Sequence, residues 1–247
     1  MLLTDIIEFL ERKAPAATAE EWDNVGLLVD AGHEDIPLVA VALDATPAAI
    51  AFAVENGARL LITHHPVIFS PLKTISADMP AASALTAGVS VLSLHTNLDK
   101  AVGGVNDTLA ARLGLENVRV AVDGMTRIGE LSAPMTAPDF ADLVSQKLDA
   151  PVSYTYGRMV KTVAVCGGGA GDGVFAFQSE ADAYVTGEMK HHEFLAAKSA
   201  LFTAVAAGHY ATEAPVVDTL TAWLREAFPM LQVLPFYDEA PYKSVLR

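Results

Sequence analysis

The opening residues place Leu2, Leu3, Ile6, Ile7 and Leu10 at helical spacing, with Asp5 and Glu8 between them and Pro15 beyond, which predicts an amphipathic helix over residues 2 to 10. The run 38 to 43, LVAVAL, shows no such period; it is short and apolar, as a buried strand is. Thr46 then offers a cap and Pro47 suits the first turn of a helix ending near Gly57. Arg59 to Thr63 predicts a second strand. A long connection through Pro66, Pro71 and Pro80 leads to a helical stretch before Gly88, and Val89 to Leu94 predicts a third strand. A helix over roughly 104 to 113 stops at Gly114. Strands alternating with helices make this an α/β chain with largely parallel strands.

The same order recurs downstream. Val39-Ala40-Val41 overlays Val163-Ala164-Val165, and Gly57 to Thr63 overlays Glu180 to Thr186. Residues 89 to 94 overlay 203 to 208, and both of these strands run into His-x-x-x-acid: His95 to Asp99 and His209 to Glu213. Apolar strands resemble one another, but three blocks in one order with matching polar endings favour a diverged duplication. Two similar α/β halves are expected, about 1–125 and 126–247, a boundary that lets the first and last segments cross over.

Composition narrows the function. With 247 residues, 52% hydrophobic and 19% charged, the chain is not disordered. A net charge of −14 repels phosphate backbones and anionic lipid, which argues against generic nucleic-acid binding. The longest stretch without a formal charge, 79 to 98, contains Pro80, Gly88 and His95 and is no membrane span. The amino terminus lacks a basic flank, apolar stretch and cleavage site, so a cytoplasmic location is expected. Cys166 is the one cysteine, so any metal site uses nitrogen and oxygen ligands.

Thr63-His64-His65-Pro66 follows a predicted strand, at the carboxyl ends where α/β sheets gather their ligand-binding loops. Side chains of adjacent extended residues diverge, so two close ions could take one histidine each where a single ion could not take both. A polar surface loop is the plainer alternative. The His95 to Asp99 and His209 to Glu213 clusters also lie just beyond strands, which suggests convergence of all three clusters on one sheet edge. Imidazoles and carboxylates are the usual ligands of Zn, Fe, Mn or Ni, and a carboxylate can bridge two ions. Helix capping by Asp99 and Glu213 is the competing explanation.

Glu21-Trp22-Asp23-Asn24-Val25-Gly26-Leu27, Thr63-His64-His65-Pro66 with Phe69, His95-Thr96-Asn97-Leu98-Asp99 with Gly103-Gly104-Val105-Asn106-Asp107, Thr186-Gly187-Glu188, and Gly208-His209-Tyr210 with Glu213 together resemble the NIF-three-like dinuclear metal-centre proteins, often described as type 2 homologues of GTP cyclohydrolase I. The resemblance spans nearly the whole chain. It implies the NIF-three-like fold, two divalent ions per chain on His64, His65, Asp99, His209 and Glu213 with Glu213 as the bridge, and a ring-shaped homohexamer. His95 is then a residue behind the ligands or facing substrate. The connection around 125 to 160 is too short for the additional domain of longer relatives, and Phe236 to Pro241 fits the pattern only loosely.

Other features have two readings each. The glycine-rich Cys166 to Gly173 is a phosphate-contacting loop or a flexible turn. His191-His192 lies in a helix expected after Glu188 and is surface-exposed or metal-binding; Glu188 approaches the metals or caps a helix. Trp22-Asp23-Asn24 packs and closes a turn, with Asn24 tolerating unusual backbone angles. Two functions compete. One is a metal-dependent hydrolase of a nucleotide-like or phosphoester small molecule, with His95 as proton carrier. The other is a non-catalytic metal-binding or metal-delivery protein acting through partners.

Overall fold

The computed structural model describes residues 1–242; residues 243–247, which the expected second half includes, lie outside the described residues. There are two compact units: Met1–Gly104 with Val216–Glu239, and Val105–Pro215 with residues 240–242.

In the first unit, α1 (Leu3–Lys13) buries Leu3, Ile6 and Leu10, the apolar stripe of the sequence, and runs on past the expected end. β1 (Gly26–Val29) precedes β2 (Leu38–Ala42), which is buried throughout. α2 (Pro47–Glu55) starts as its sequence demands: the Thr46 hydroxyl accepts the Ala49 amide at 3.1 Å, and Pro47 occupies the first turn. β3 (Leu60–Thr63), α3 (Pro80–Thr86), β4 (Ser90–Ser93) and α4 (Thr96–Lys100) follow. β2, β3 and β4 pair in parallel, and β1 closes the edge antiparallel to β4.

The second unit contains α5 (Val105–Arg112), β5 (Glu116–Val120), β6 (Arg127–Met135), α6 (Ala137–Leu148), β7 (Ser153–Tyr154), β8 (Val160–Val165), β9 (Ala183–Thr186), α7 (His191–Ser199), β10 (Thr203–Ala206) and α8 (His209–Glu213). Its sheet order is β5-β6-β8-β9-β10-β7, with β8, β9 and β10 parallel and the others antiparallel. The chain then returns: α9 (Val216–Ala227) leads to β11 (Gln232–Pro235), which joins the first sheet parallel to β2. Both sheets are therefore mixed. β5 and β6 run antiparallel because a short turn, held by Asp123 accepting from the Thr126 amide and hydroxyl, reverses the chain between them.

Each sheet contains a parallel trio with an antiparallel strand beyond its third member, β1 beside β4 and β7 beside β10. The register refines the repeat. Leu60 pairs with Ser90 and Ala183 with Thr203, so Ser93 corresponds to Ala206. The overlay of 89 to 94 on 203 to 208 is thus one residue out, and His95 corresponds to Gly208, not to His209. Short apolar strands carry no internal mark of register, which the pairing alone supplies.

In the second sheet the two-residue period separates two cores. Val163, Val165, Val185 and Val205 pack with Leu109, Phe140 and Val144 on one face, while Ala164, Tyr184 and Ala204 pack with Val174, Phe177 and Ala197 on the other. Arg127 is wholly buried and anchors β6 to α5 through Asp107, with Nε donating to Oδ1 at 2.6 Å. No helix among the described residues is long and apolar enough to cross a membrane.

Asp107→Ala removes the counter-charge of a buried guanidinium, which still donates to the Met125 carbonyl at 2.7 Å. Urea unfolding is expected to show a loss of about 3 kcal/mol, and a loss under about 1 kcal/mol would remove the pair from the structural account.

Candidate metal centre

The parallel trio of the first sheet ends in polar residues because its strands stop together. Ala42 pairs with Thr63, and Thr63 with Ser93, so the chain leaves all three strands at one edge. His64 and His65 follow β3, and both their amides donate to the Leu43 carbonyl, at 3.1 and 3.0 Å. The backbone bends there, so the two rings do not splay to opposite sides as an extended segment would make them: their centroids are 4.9 Å apart. His95, at the end of β4, brings its ring within 5.2 Å of His64 and 5.7 Å of His65. One ring nitrogen from each lies within 4.8 Å of the other two.

Each imidazole is oriented through Nδ1. His64 is fully buried and donates to the Leu94 carbonyl at 2.9 Å; His65 donates to Asp44 Oδ1 at 2.7 Å; His95 donates to Asp23 Oδ1 at 2.8 Å. A carbonyl or carboxylate accepts only, so in the neutral ring the proton sits on Nδ1 and the Nε2 lone pair is the ligating position. Asp99 Oδ1 lies 3.7 Å from His64 Nε2. Imidazole nitrogens with their second nitrogen hydrogen-bonded, joined by a carboxylate, form a donor set that suits a first-row divalent ion.

Asp23 is the residue that sequence reasoning undervalued. Its carboxylate takes the His95 ring, the Thr96 amide at 3.0 Å and the Thr96 hydroxyl at 2.5 Å. Burial alone would raise its pKa, but the bonds from Thr96 and His95 outweigh that and hold it below the usual carboxylate range. His95 is pushed below its usual value by burial and by neighbouring His64, against the opposing pull of Asp23. Asp44 was also hidden, since it faces His65 only once β2 and β3 are in register. Trp22 is not packed away: it is 60% exposed, against Phe69 and His95. Asn24 has no positive φ; it acts by its side chain, whose Nδ2 donates to the Ile68 carbonyl at 2.6 Å.

In the second unit, α8 sets His209 and Glu213 one turn apart, with Nε2 to Oε2 at 3.0 Å. Glu213 is buried, while Glu188 is exposed and its Oε2 lies 3.5 Å from His209 Nδ1. The glycine-rich segment lies against this pair. Gly168 has φ +64°, and a Cβ there would fall 2.1 Å from Glu213 Oε1, so only glycine leaves room for the carboxylate. The Gly167 amide donates to Asn106 Oδ1 at 2.8 Å and the Gly168 amide to Thr212 Oγ1 at 3.1 Å. These two amides are committed within the protein, and the adjoining cavity of about 380 Å³ is lined by Asp172, Glu188 and Glu193 against one cation, Lys190. That lining disfavours a phosphate. His191 and His192 are exposed at the start of α7.

Residues 1–239 match the family described as Duf34/NIF3 (NGG1p interacting factor 3). The "GTP cyclohydrolase 1 type 2 homolog" of Clostridium perfringens is 32% identical over 243 residues, covering 92% of each chain. The "GTP cyclohydrolase 1 type 2" of Helicobacter pylori is 30% identical over 223 residues, covering 86% of this chain and 87% of that one. Among solved structures, a hypothetical protein of Staphylococcus aureus superposes with a TM-score of 0.90 at 27% identity, covering 99% of both chains.

In metal-free protein, His95 is expected to titrate below 6.5. The fold favours its neutral form, so its contribution to stability is complete above the unfolded value of about 6.5 and is lost as the pH falls below it. Asp23, held below 3.8, acts in the same direction at lower pH, contributing above that value and losing on further acidification. An NMR titration of the His95 ring checks the shift. Asp23→Asn should lower the midpoint further by removing a negative charge, and a parent midpoint at or above 6.5 contradicts the account.

Proposed function

We propose, from the premise that this chain belongs to the Duf34/NIF3 family, that it binds two divalent ions through His64, His65, Asp99, His209 and Glu213 and hydrolyses a nucleotide-like or phosphoester small molecule. In this reading Glu213 is shared between the ions, and the protein works as a homohexamer. The observation that carries it is the common orientation of His64 and His65, each with Nδ1 tied to an acceptor so that the neutral ring offers Nε2 to a metal, with the His95 ring held beside them in the same way by Asp23. The name of the Helicobacter pylori relative, a cyclohydrolase, supports the hydrolytic part.

When bound, a pair of divalent ions supplies Lewis-acid polarisation and a water of lowered pKa, about 7 in favourable cases. The chain's own residues do the rest. Asp44 and the Leu94 carbonyl fix the rings of His65 and His64, so little reorganisation is needed on binding. His95, kept neutral by burial and oriented by Asp23, takes or returns a proton at Nε2. Zn, Fe, Mn and Ni all suit this donor set.

Elemental analysis of the parent protein is expected to find two ions per chain, and Glu213→Ala to reduce both; one ion in the parent rejects the dinuclear reading. His95→Ala is expected to retain both ions and lose about 10²- to 10⁴-fold in turnover, the usual contribution of one general acid or base. The test is a screen of nucleotides and phosphoesters with protein loaded separately with Mn, Fe, Zn and Ni. Lost metal would make His95 a ligand. Absence of sustained turnover with every metal would overturn hydrolysis in favour of metal binding or delivery.

A further inference from the structure

Beside the three histidines, the first unit exposes two large aromatic side chains in contact. Trp22 is 60% and Phe69 53% exposed, with ring centroids 5.8 Å apart. Both stand edge-on to the His95 imidazole, at 6.1 Å and 75° for Trp22 and 6.2 Å and 77° for Phe69. Singly exposed apolar residues are ordinary, but a contiguous pair next to a polar cluster is a feature to be explained.

The pair is held in place by polar bonds from several directions. Asn24 Nδ2 donates to the Ile68 carbonyl at 2.6 Å, stitching the segment that carries Trp22 to the one that carries Phe69. The Glu20 amide donates to Thr96 Oγ1 at 2.9 Å, and Asp23 binds Thr96 and His95, so the Trp22 segment is also fastened to the start of α4. These bonds fix two exposed rings that no apolar packing demands.

We infer that Trp22 and Phe69 form a stacking platform for the planar heterocyclic ring of the substrate, a ring of nucleobase size, whose edge is thereby presented to His95. The inference rests on the hydrolytic reading of the site and names the part of the substrate that the site recognises. Size and charge both favour a ring. Two aromatic side chains fall far short of the roughly 800 Å² per partner that a stable protein interface buries, yet they match the face of one base. The two rings carry no charge, so the neutral ring of a nucleotide, and not its phosphate tail, is the end that stacks on them. Stacking on an aromatic face tolerates any base, so the platform selects for a ring and leaves its identity to other contacts.

Trp22 is itself the reporter, because the chain contains two tryptophans and Trp223→Phe leaves Trp22 as the sole indole. Guanosine and adenosine are titrated into metal-free Trp223→Phe protein while its fluorescence is followed, with ribose 5-phosphate and inorganic phosphate as controls. Saturable quenching by the nucleosides and none by the controls is expected. Phe69→Ala should weaken nucleoside binding about 5- to 100-fold and Phe69→Tyr should restore it, with unchanged circular dichroism and, before the metal is stripped, unchanged metal content. Equal quenching by ribose 5-phosphate, no saturation, or an unchanged Kd in Phe69→Ala overturns the platform. So does a shift in sedimentation of Phe69→Ala without nucleoside binding in the parent, which would make the patch a contact between copies. Metal-dependent hydrolysis of glycerol phosphate without nucleoside binding would sink this inference alone, whereas nucleoside binding without turnover would sink only the hydrolytic reading.

Discussion

The parallel pairing of β2, β3 and β4 is the constraint from which the first unit's chemistry follows. Because Ala42, Thr63 and Ser93 lie side by side, the residues just beyond them are delivered to one sheet edge: Asp44, then His64 and His65, then His95. Each imidazole meets its acceptor there without any long excursion of the chain. Slipping one strand by one residue would turn its side chains to the other face and dissolve the cluster. The apolar cores on the sheets are in this sense the precondition of the polar site, since complete burial of the strands is what holds the register.

The second unit uses the same trio for a different arrangement. By register His65 corresponds to Glu188 and His95 to Gly208, so histidines do not recur at equivalent positions. In their place, Gly168 and Gly187 let the backbone pass close to α8, where His209 and Glu213 lie one turn apart. One framework thus presents imidazoles from strand ends in one unit and an imidazole with a carboxylate from a helix in the other. The likeness of strand order is what a duplication would leave behind, and the two units differ in what their strand ends carry.

Hydrogen bonding to Nδ1 links the fold to function in the first unit. A histidine with a free choice of tautomer offers either nitrogen; one tied to a backbone carbonyl or an aspartate offers one. Burial near other imidazoles penalises a positive charge on His95, and Asp23 opposes that penalty while holding the ring in place. Asp23 therefore has two consequences: it orients the imidazole, and through Thr96 it fastens the segment bearing Trp22 to the start of α4.

The sequence by itself determined the local elements and the type of chemistry. The helical stripe of α1, the Thr46-Pro47 start of α2, the apolar strands and the Gly114 stop are short-range effects, legible because caps, turns and periodicity act over a few residues. Histidine clusters beyond strands and the specific motifs identified the NIF-three-like pattern, and one cysteine left only nitrogen and oxygen for a metal. Tertiary structure alone decided what depends on pairing between distant segments. In the second sheet the antiparallel edge strands carry little apolar signal, β5 being exposed throughout and β7 only two residues long, and β11 joins β2 from nearly two hundred residues away. Asp44 and Asp23 become partners of His65 and His95 only when register and the fold around α4 bring them to within hydrogen-bonding distance. Trp22 looked like a packing residue because aromatic side chains usually are; its exposure follows from polar bonds that fasten its neighbours, a long-range arrangement with no local signature.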